Sequence, residues 1–148
     1  MAYPILHIAN KIIANTDVEQ GELISNLKLQ KLLYYMQGFH IAVFDAKLFE
    51  NDIEAWQYGP VVRDMYFHFK EFGKSSITLT DDATIAEMTD DEEELFNEVL
   101  AEYSQFSAIK LMNMTHDELP WEKTFNETPQ GVITYKLMSD FFKTQLVE

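Results

Sequence analysis

Apolar residues recur along most of the chain at the three- and four-residue spacing of a helix. Ile5, Ile8, Ala9 and Ile12 form the first such stripe, with Pro4 suited to a first helical position. Gly21 then breaks the chain. Ser25 or Asn26 can cap a long helix running through Leu29, Leu32, Leu33, Met36, Phe39 and Val43. Gly38 inside that helix costs roughly 1 kcal/mol relative to alanine, so its presence predicts the close approach of another segment. Tyr34 and Tyr35 point about 100° apart on a helix, so one of them is expected near the surface or in a groove.

The stretch from Leu48 to Val62 reads differently. Asn51-Asp52 is turn chemistry, and its flanks, Leu48-Phe49 and Ile53 to Trp56, can pair as a small hairpin around residues 48–57. Gly59-Pro60 is expected to stop the extended segment, with Pro60 opening the next helix, whose stripe is Val62, Met65, Tyr66 and Phe69. Residues 74–89 read as an exposed loop, with at most a short strand at Ile77 to Leu79. Asp90 begins a D-x-x-E capping box with Glu93, and Leu95, Phe96, Val99, Leu100 and Tyr103 follow as a buried face. A short helix from Ala108 to Thr115 follows Ser107, and Pro120 and Trp121 start another turn. Thr128 to Gly131 ends it, and Tyr135, Met138, Phe142 and Leu146 line a last helix. The pattern predicts a mainly α fold: a compact single-domain helical bundle over residues 1–148 with one small β-hairpin.

Composition narrows what such a bundle can do. A chain of 148 residues without cysteine has no disulfide framework, thiolate metal site or cysteine nucleophile. The longest apolar run, Leu32 to Met36, is too short for a bilayer, and the start of the chain lacks the basic region of a signal peptide. The net charge is −14, from 25 acids and 11 bases, and Arg63 is the sole arginine. Nucleic-acid surfaces rely on Lys and Arg to neutralise phosphates, so this balance argues against DNA, RNA and anionic membranes and favours a basic partner. No base interrupts the acids between Lys74 and Lys110, where Asp90 to Glu94 form an unbroken run. Such a run is a solvated helix face or a steering surface.

Catalytic chemistry is thinly represented. The glycines form neither phosphate-cradling signature, and no nucleophile elbow is present. Asp64 and His68, at i and i+4, can share a helix face as two metal ligands or as exposed neighbours. His116-Asp117-Glu118 places an acid beside a base, but adjacent residues do not converge without a special turn, and His116 also suits a helix end or a core hydrogen bond. An enzyme is not expected, and no cofactor is called for. Trp56, Tyr58 and Tyr66, by contrast, bracket Gly59-Pro60 and Arg63. Tryptophan, tyrosine and arginine are the residues that most often anchor interfaces, although large aromatics also fill cores.

Three blocks in this order resemble the Panacea domain family: Leu27 to Gly38 (LKLQKLLYYMQG), Leu48 to Tyr66 (LFENDIEAWQYGPVVRDMY) and Leu111 to Trp121 (LMNMTHDELPW). The resemblance extends from about Ile5 to Phe142. That family includes SocA-like proteolysis adaptors, phage-associated GepA-like proteins and antitoxins. The resemblance implies a non-enzymatic, cytoplasmic protein of a bacterium or prophage that neutralises a protein toxin. In the SocA-like case it also implies delivery of that toxin to the ClpXP protease. The expected partner surface is Trp56, Tyr58, Gly59, Pro60, Arg63 and Tyr66. Thr115, His116, Pro120 and Trp121 form a second motif, of structural or functional use. Arg63 serves either as an anchor for the partner or in an ion pair with Asp64, Asp45 or Glu54. Two other classes compete on the residues alone: a small metal-dependent hydrolase, and an acidic DNA mimic that blocks a nucleic-acid-binding protein.

Overall fold

The long helix predicted between Ser25 and Val43 is the axis on which the rest is laid. The computed structural model describes residues 2–16 and 24–146; the break expected at Gly21 lies outside them. Among the described residues the elements are α1 (Ile5–Ala14), α2 (Asn26–Phe44), β1 (Glu54–Trp56), β2 (Gly59–Val61), α3 (Arg63–His68), α4 (Asp90–Tyr103), α5 (Ala108–His116), α6 (Leu119–Glu127) and α7 (Tyr135–Lys143). α2 is in contact with α1, α3, α4, α5, α7 and β2. Ser25 caps it, its side chain accepting the Lys28 N–H at 3.2 Å. Asp45 ends it in the left-handed conformation at φ 54°.

Being surrounded overturns one expectation. Tyr34 and Tyr35 are both fully buried, at 0% exposure. A helix with a single buried face turns one of two adjacent residues outward, whereas α2 has neighbours on several sides. Their rings meet edge to face at 5.0 Å, and Phe142 of α7 closes on both. Gly38 is where α7 comes closest: a Cβ there would overlap the Phe142 ring. The close approach predicted from that glycine is therefore the α2–α7 contact. Val43, Tyr135 and Leu146, expected on buried stripes, are exposed instead.

The hairpin forms, but with its turn further along the chain. β1 and β2 are antiparallel, pairing Glu54 with Val61, Ala55 with Pro60 and Trp56 with Gly59. The turn is thus Gln57-Tyr58 and not Asn51-Asp52, and Gly59-Pro60 belongs to the second strand. Gly59 makes this possible, closing a two-residue loop at φ 108°. Pro60 is tolerated because its partner Ala55 directs both backbone groups the other way. The Ala55 N–H donates to Gly131 O at 2.9 Å, and the Gln130 N–H donates to Ala55 O at 2.7 Å. α3 accordingly opens after Val62, without proline at its start.

The acidic helix α4 starts on Thr89, one residue before the expected cap. The Thr89 hydroxyl accepts the Glu92 N–H, and the Glu92 carboxylate accepts the Thr89 N–H, each at 3.2 Å. Thr89-x-x-Glu92 and Asp90-x-x-Glu93 are overlapping signatures, and tertiary contacts choose between them. Glu92 also receives the Tyr3 hydroxyl at 2.5 Å and lies 2.6 Å from His40 Nε2. Residues 74–88 carry no helix or strand. They are tied down at Ile77, whose N–H donates to Ile24 O, and at Ala86, whose N–H donates to His7 O.

Candidate partner surface

The polar residues of α2 fix where the hairpin sits. Asn26, Gln30 and Gln37 share one stripe at i, i+4 and i+11, and all three are buried. Asn26 donates to Tyr66 O, Gln30 Oε1 accepts the Val62 N–H at 2.9 Å, and Gln37 bridges the Leu48 N–H and Phe49 O, each at 2.7 Å. These side chains satisfy backbone groups that the short strands leave unpaired, which a buried loop requires. Lys31, at 0% exposure, donates to Pro60 O at 3.0 Å. Burial lowers the Lys31 pKa to about 7, and among the described residues no carboxylate pairs with it.

What this scaffold presents to solvent is an aromatic patch. Glu54 and Trp56, two apart on β1, share a face, and the Trp56 indole N–H donates to Glu54 Oε1 at 2.8 Å. Arg63 joins them, pairing with Glu54 at 3.2 Å and lying over the Trp56 ring at 5.5 Å. Glu54 is therefore the acid that takes Arg63, in preference to Asp45 or Asp64, and the guanidinium stays half exposed. The Tyr66 ring lies 5.1 Å from Trp56 and 5.3 Å from Phe67. Tyr58 at the turn is 60% exposed and Phe67 is 50% exposed. Gly59 and Pro60 are buried, so they shape the patch from below.

The Thr115–Trp121 motif props the hairpin from the other side. The Trp121 indole N–H donates to Trp56 O at 2.7 Å, and its ring lies between His116 at 4.0 Å and Phe125 at 4.7 Å. Thr115 is buried, its hydroxyl donating to Met112 O, and Pro120 is buried in the first turn of α6. His116 keeps a buried Nε2 without a hydrogen-bond partner, and desolvation lowers its pKa. Glu118 precedes α6 and accepts the Tyr34 hydroxyl at 3.0 Å and the Tyr35 hydroxyl at 2.9 Å. Burial raises its pKa to about 7, against the opposing pull of the two hydroxyls.

These positions separate the predicted groups. Trp56, Tyr58, Gly59, Pro60, Arg63 and Tyr66 do come together on the hairpin and α3. His116 and Glu118 part: the imidazole stacks on Trp121 while the carboxylate turns to α2. Asp64 and His68 also part. Asp64 accepts from Asn51 Nδ2 at 3.2 Å, while His68 opens on a cleft of about 420 Å³ shared with His7, Asn10, Phe72 and Asp82. Among the described residues no three His, Asp or Glu side chains are grouped to hold a metal ion. Sequence reasoning did not single out Phe67 or Lys31, and it took Glu118 only as an acid beside His116, not as the acceptor of two α2 hydroxyls. Phe67 falls off the apolar stripe of α3, which is the signal of an outward aromatic; Lys31 lies inside the quoted motif block.

The family described as Antitoxin SocA-like, Panacea domain matches residues 29–122. That span takes in the hairpin block and the Leu111–Trp121 block entire, and the α2 block from Leu29 onward; α1 and α7 lie outside it. Neither curated proteins nor solved structures give a match.

Proposed function

Since the chain belongs to the SocA-like antitoxin family with the Panacea domain, we propose that it neutralises a protein toxin by direct binding, without catalysis, through the surface of the hairpin and α3. The observation that carries the choice of surface is the aromatic patch. Tyr58 and Phe67 are among the exposed large apolar side chains, and they flank Trp56, Tyr66 and the sole arginine. Tyrosine, tryptophan and arginine join apolar area to hydrogen-bonding reach, the combination found at interface hot spots. Exposed aromatic area of this kind costs solubility unless a partner covers it. The α4 acids, Asp90 to Glu94, supply long-range attraction for a basic toxin. A SocA-like role would add delivery of the bound toxin to ClpXP. The setting is the bacterial cytoplasm, with a prophage as one genetic source, and no described helix is long and apolar enough to cross a membrane.

A reading frame adjacent to this one, toxic when expressed alone and harmless when coexpressed, tests the class. Against that toxin the Tyr58→Ala, Arg63→Ala double variant should fold normally and lose neutralisation, each truncation weakening binding by about 1–2 kcal/mol. Normal neutralisation by the folded double variant would move the docking surface elsewhere. Toxin turnover compared with and without ClpX decides the delivery step.

A further inference from the structure

Glu118 is a carboxylate placed where neither water nor a base fully serves it. It accepts two hydroxyls from fully buried tyrosines of α2, and among the described residues no Lys, Arg or His lies within ion-pair reach of it. It is also the residue that leads into α6, whose start has no side-chain cap. Three residues further on, Trp121 donates to the backbone of Trp56 at the root of the docking patch. One short helix is thus tied at its start to α2 and within its first turn to the hairpin.

We infer that protonation of Glu118 controls how α6 is seated, and through Trp121 the shape of the hairpin surface, so that the docking surface is coupled to pH; this rests on the hairpin being that surface. With the carboxyl neutral, it stays against Tyr34 and Tyr35 at little desolvation cost. When it releases its proton to water, the charged form gains from moving toward solvent, and the start of α6 moves with it. A partner that needs the seated form then takes up a proton on binding, as linkage requires. The groups facing Glu118 are few. Tyr34 and Tyr35 come from α2, Tyr103 from α4 stacks on Tyr35 at 4.0 Å, and Asp117 adjoins it in sequence. Asp117 raises its proton affinity, and the two α2 hydroxyls lower it. His116, which feels the charge of Lys31, faces Trp121 instead.

The chain provides its own reporters, because its only two tryptophans are Trp56 and Trp121. The indole N–H resonance of Trp121 is followed by NMR in the protein alone from pH 5 to 9, so the result does not depend on identifying a toxin. The expected outcome is a step with its midpoint near 7, the value to which burial raises Glu118, and a separate step below 6.5 from the stacked His116. Glu118→Gln should remove the share of the upper step that Glu118 supplies and keep the lower, Lys31 beside Pro60 accounting for any remainder near 7. Absence of the upper step in the wild type, or its survival undiminished in Glu118→Gln, overturns the inference. If Glu118→Gln does not fold, Tyr34→Phe decides. Losing a donor that favours the charged form must raise the upper midpoint, and an unmoved midpoint overturns the inference equally.

Discussion

Two glutamates pack against α2, and both accept tyrosine hydroxyls, yet their carboxyl groups are driven in opposite directions. Glu118 takes Tyr34 and Tyr35, has no base beside it among the described residues, and is raised to about 7 by burial. Burial would raise Glu92 as well, but hydrogen bonds from Tyr3, His40 and Thr89 outweigh it and hold its carboxyl at about 2. Glu92 lies in the first turn of α4, where the helix dipole favours negative charge as well. The difference teaches that hydroxyl donors alone do not settle a buried carboxylate; backbone N–H groups and an imidazole do. It also divides the molecule. The hairpin side of α2 is held by buried polar groups with few partners each, and the acidic side by partly exposed groups with many.

The sharpest way to break the hairpin side is Gly59→Val. A Cβ at this φ of 108° is strained whatever the space, and it would lie 2.6 Å from Lys31 Cε and 3.0 Å from Thr115 Oγ1. Strain at a left-handed position together with displacement of a buried lysine should cost about 3 kcal/mol or more. Urea denaturation checks this, and a loss under about 1 kcal/mol would mean that the hairpin yields where it is drawn as rigid.

The second test sets the two glutamates against each other on a pH axis. The folded-state pKa of Glu118 lies above its ordinary 4.5, so its contribution is full below 4.5 and is lost as pH rises toward about 7. Glu92 is depressed, so its contribution is present above 4.5 and is lost as pH falls toward about 2. Lys31 is lowered from 10.5 to about 7, and as a base it restores stability as pH rises between those values. Stability should therefore peak near pH 4.5, dip near 7 and recover in alkali. At about 1.4 kcal/mol per pKa unit, the fall due to Glu118 amounts to at most about 3 kcal/mol. Thermal unfolding across the range checks it: Glu118→Gln should flatten the limb from 4.5 to 7, and Glu92→Gln the acid limb only.

The sequence foretold the parts of this comparison unevenly, for a physical reason. Helix stripes, a cap at Ser25 or Asn26, the helix start after Ser107 and the glycine at the α2–α7 crossing are local signals, and they were legible. The aromatic patch was legible too, because Trp56, Tyr58, Arg63 and Tyr66 lie within one short stretch. The hairpin register was not, since Asn51-Asp52 is the stronger local turn signal, while the pairing of Ala55 with Pro60 depends on residues 130–131, which take both backbone groups of Ala55 from far along the chain. Nor were the Glu118 and Glu92 sites. Each is assembled from residues more than fifty positions apart, such as Tyr34 with Glu118 and His40 with Glu92. Tyr34-Tyr35 misled because a helix surrounded by neighbours has no outer face for one ring to occupy.

The smallest effect is expected on the acidic side, where it turns on a single residue of register. Thr89 caps α4 through its hydroxyl and donates that hydroxyl's proton to Glu92 Oε1 at 3.0 Å, so it serves the helix and the Glu92 site together. Thr89→Ala removes both, and losing a threonine cap costs about 1 kcal/mol. Asp90 is the first residue of the helix, exposed, and contributes one first-turn charge among four. Asp90→Ala should then stay within about 0.5 kcal/mol at physiological salt, where exposed charges are screened. Chemical denaturation of the two variants side by side separates the two registers. A larger loss at Asp90 than at Thr89 would return the cap to Asp90-x-x-Glu93, leaving Glu92 with Tyr3 and His40 as its donors. Because Glu92 has so many donors, even Thr89→Ala should leave its carboxylate ionised well below 4.5, which the acid limb of the same variant's stability curve reports.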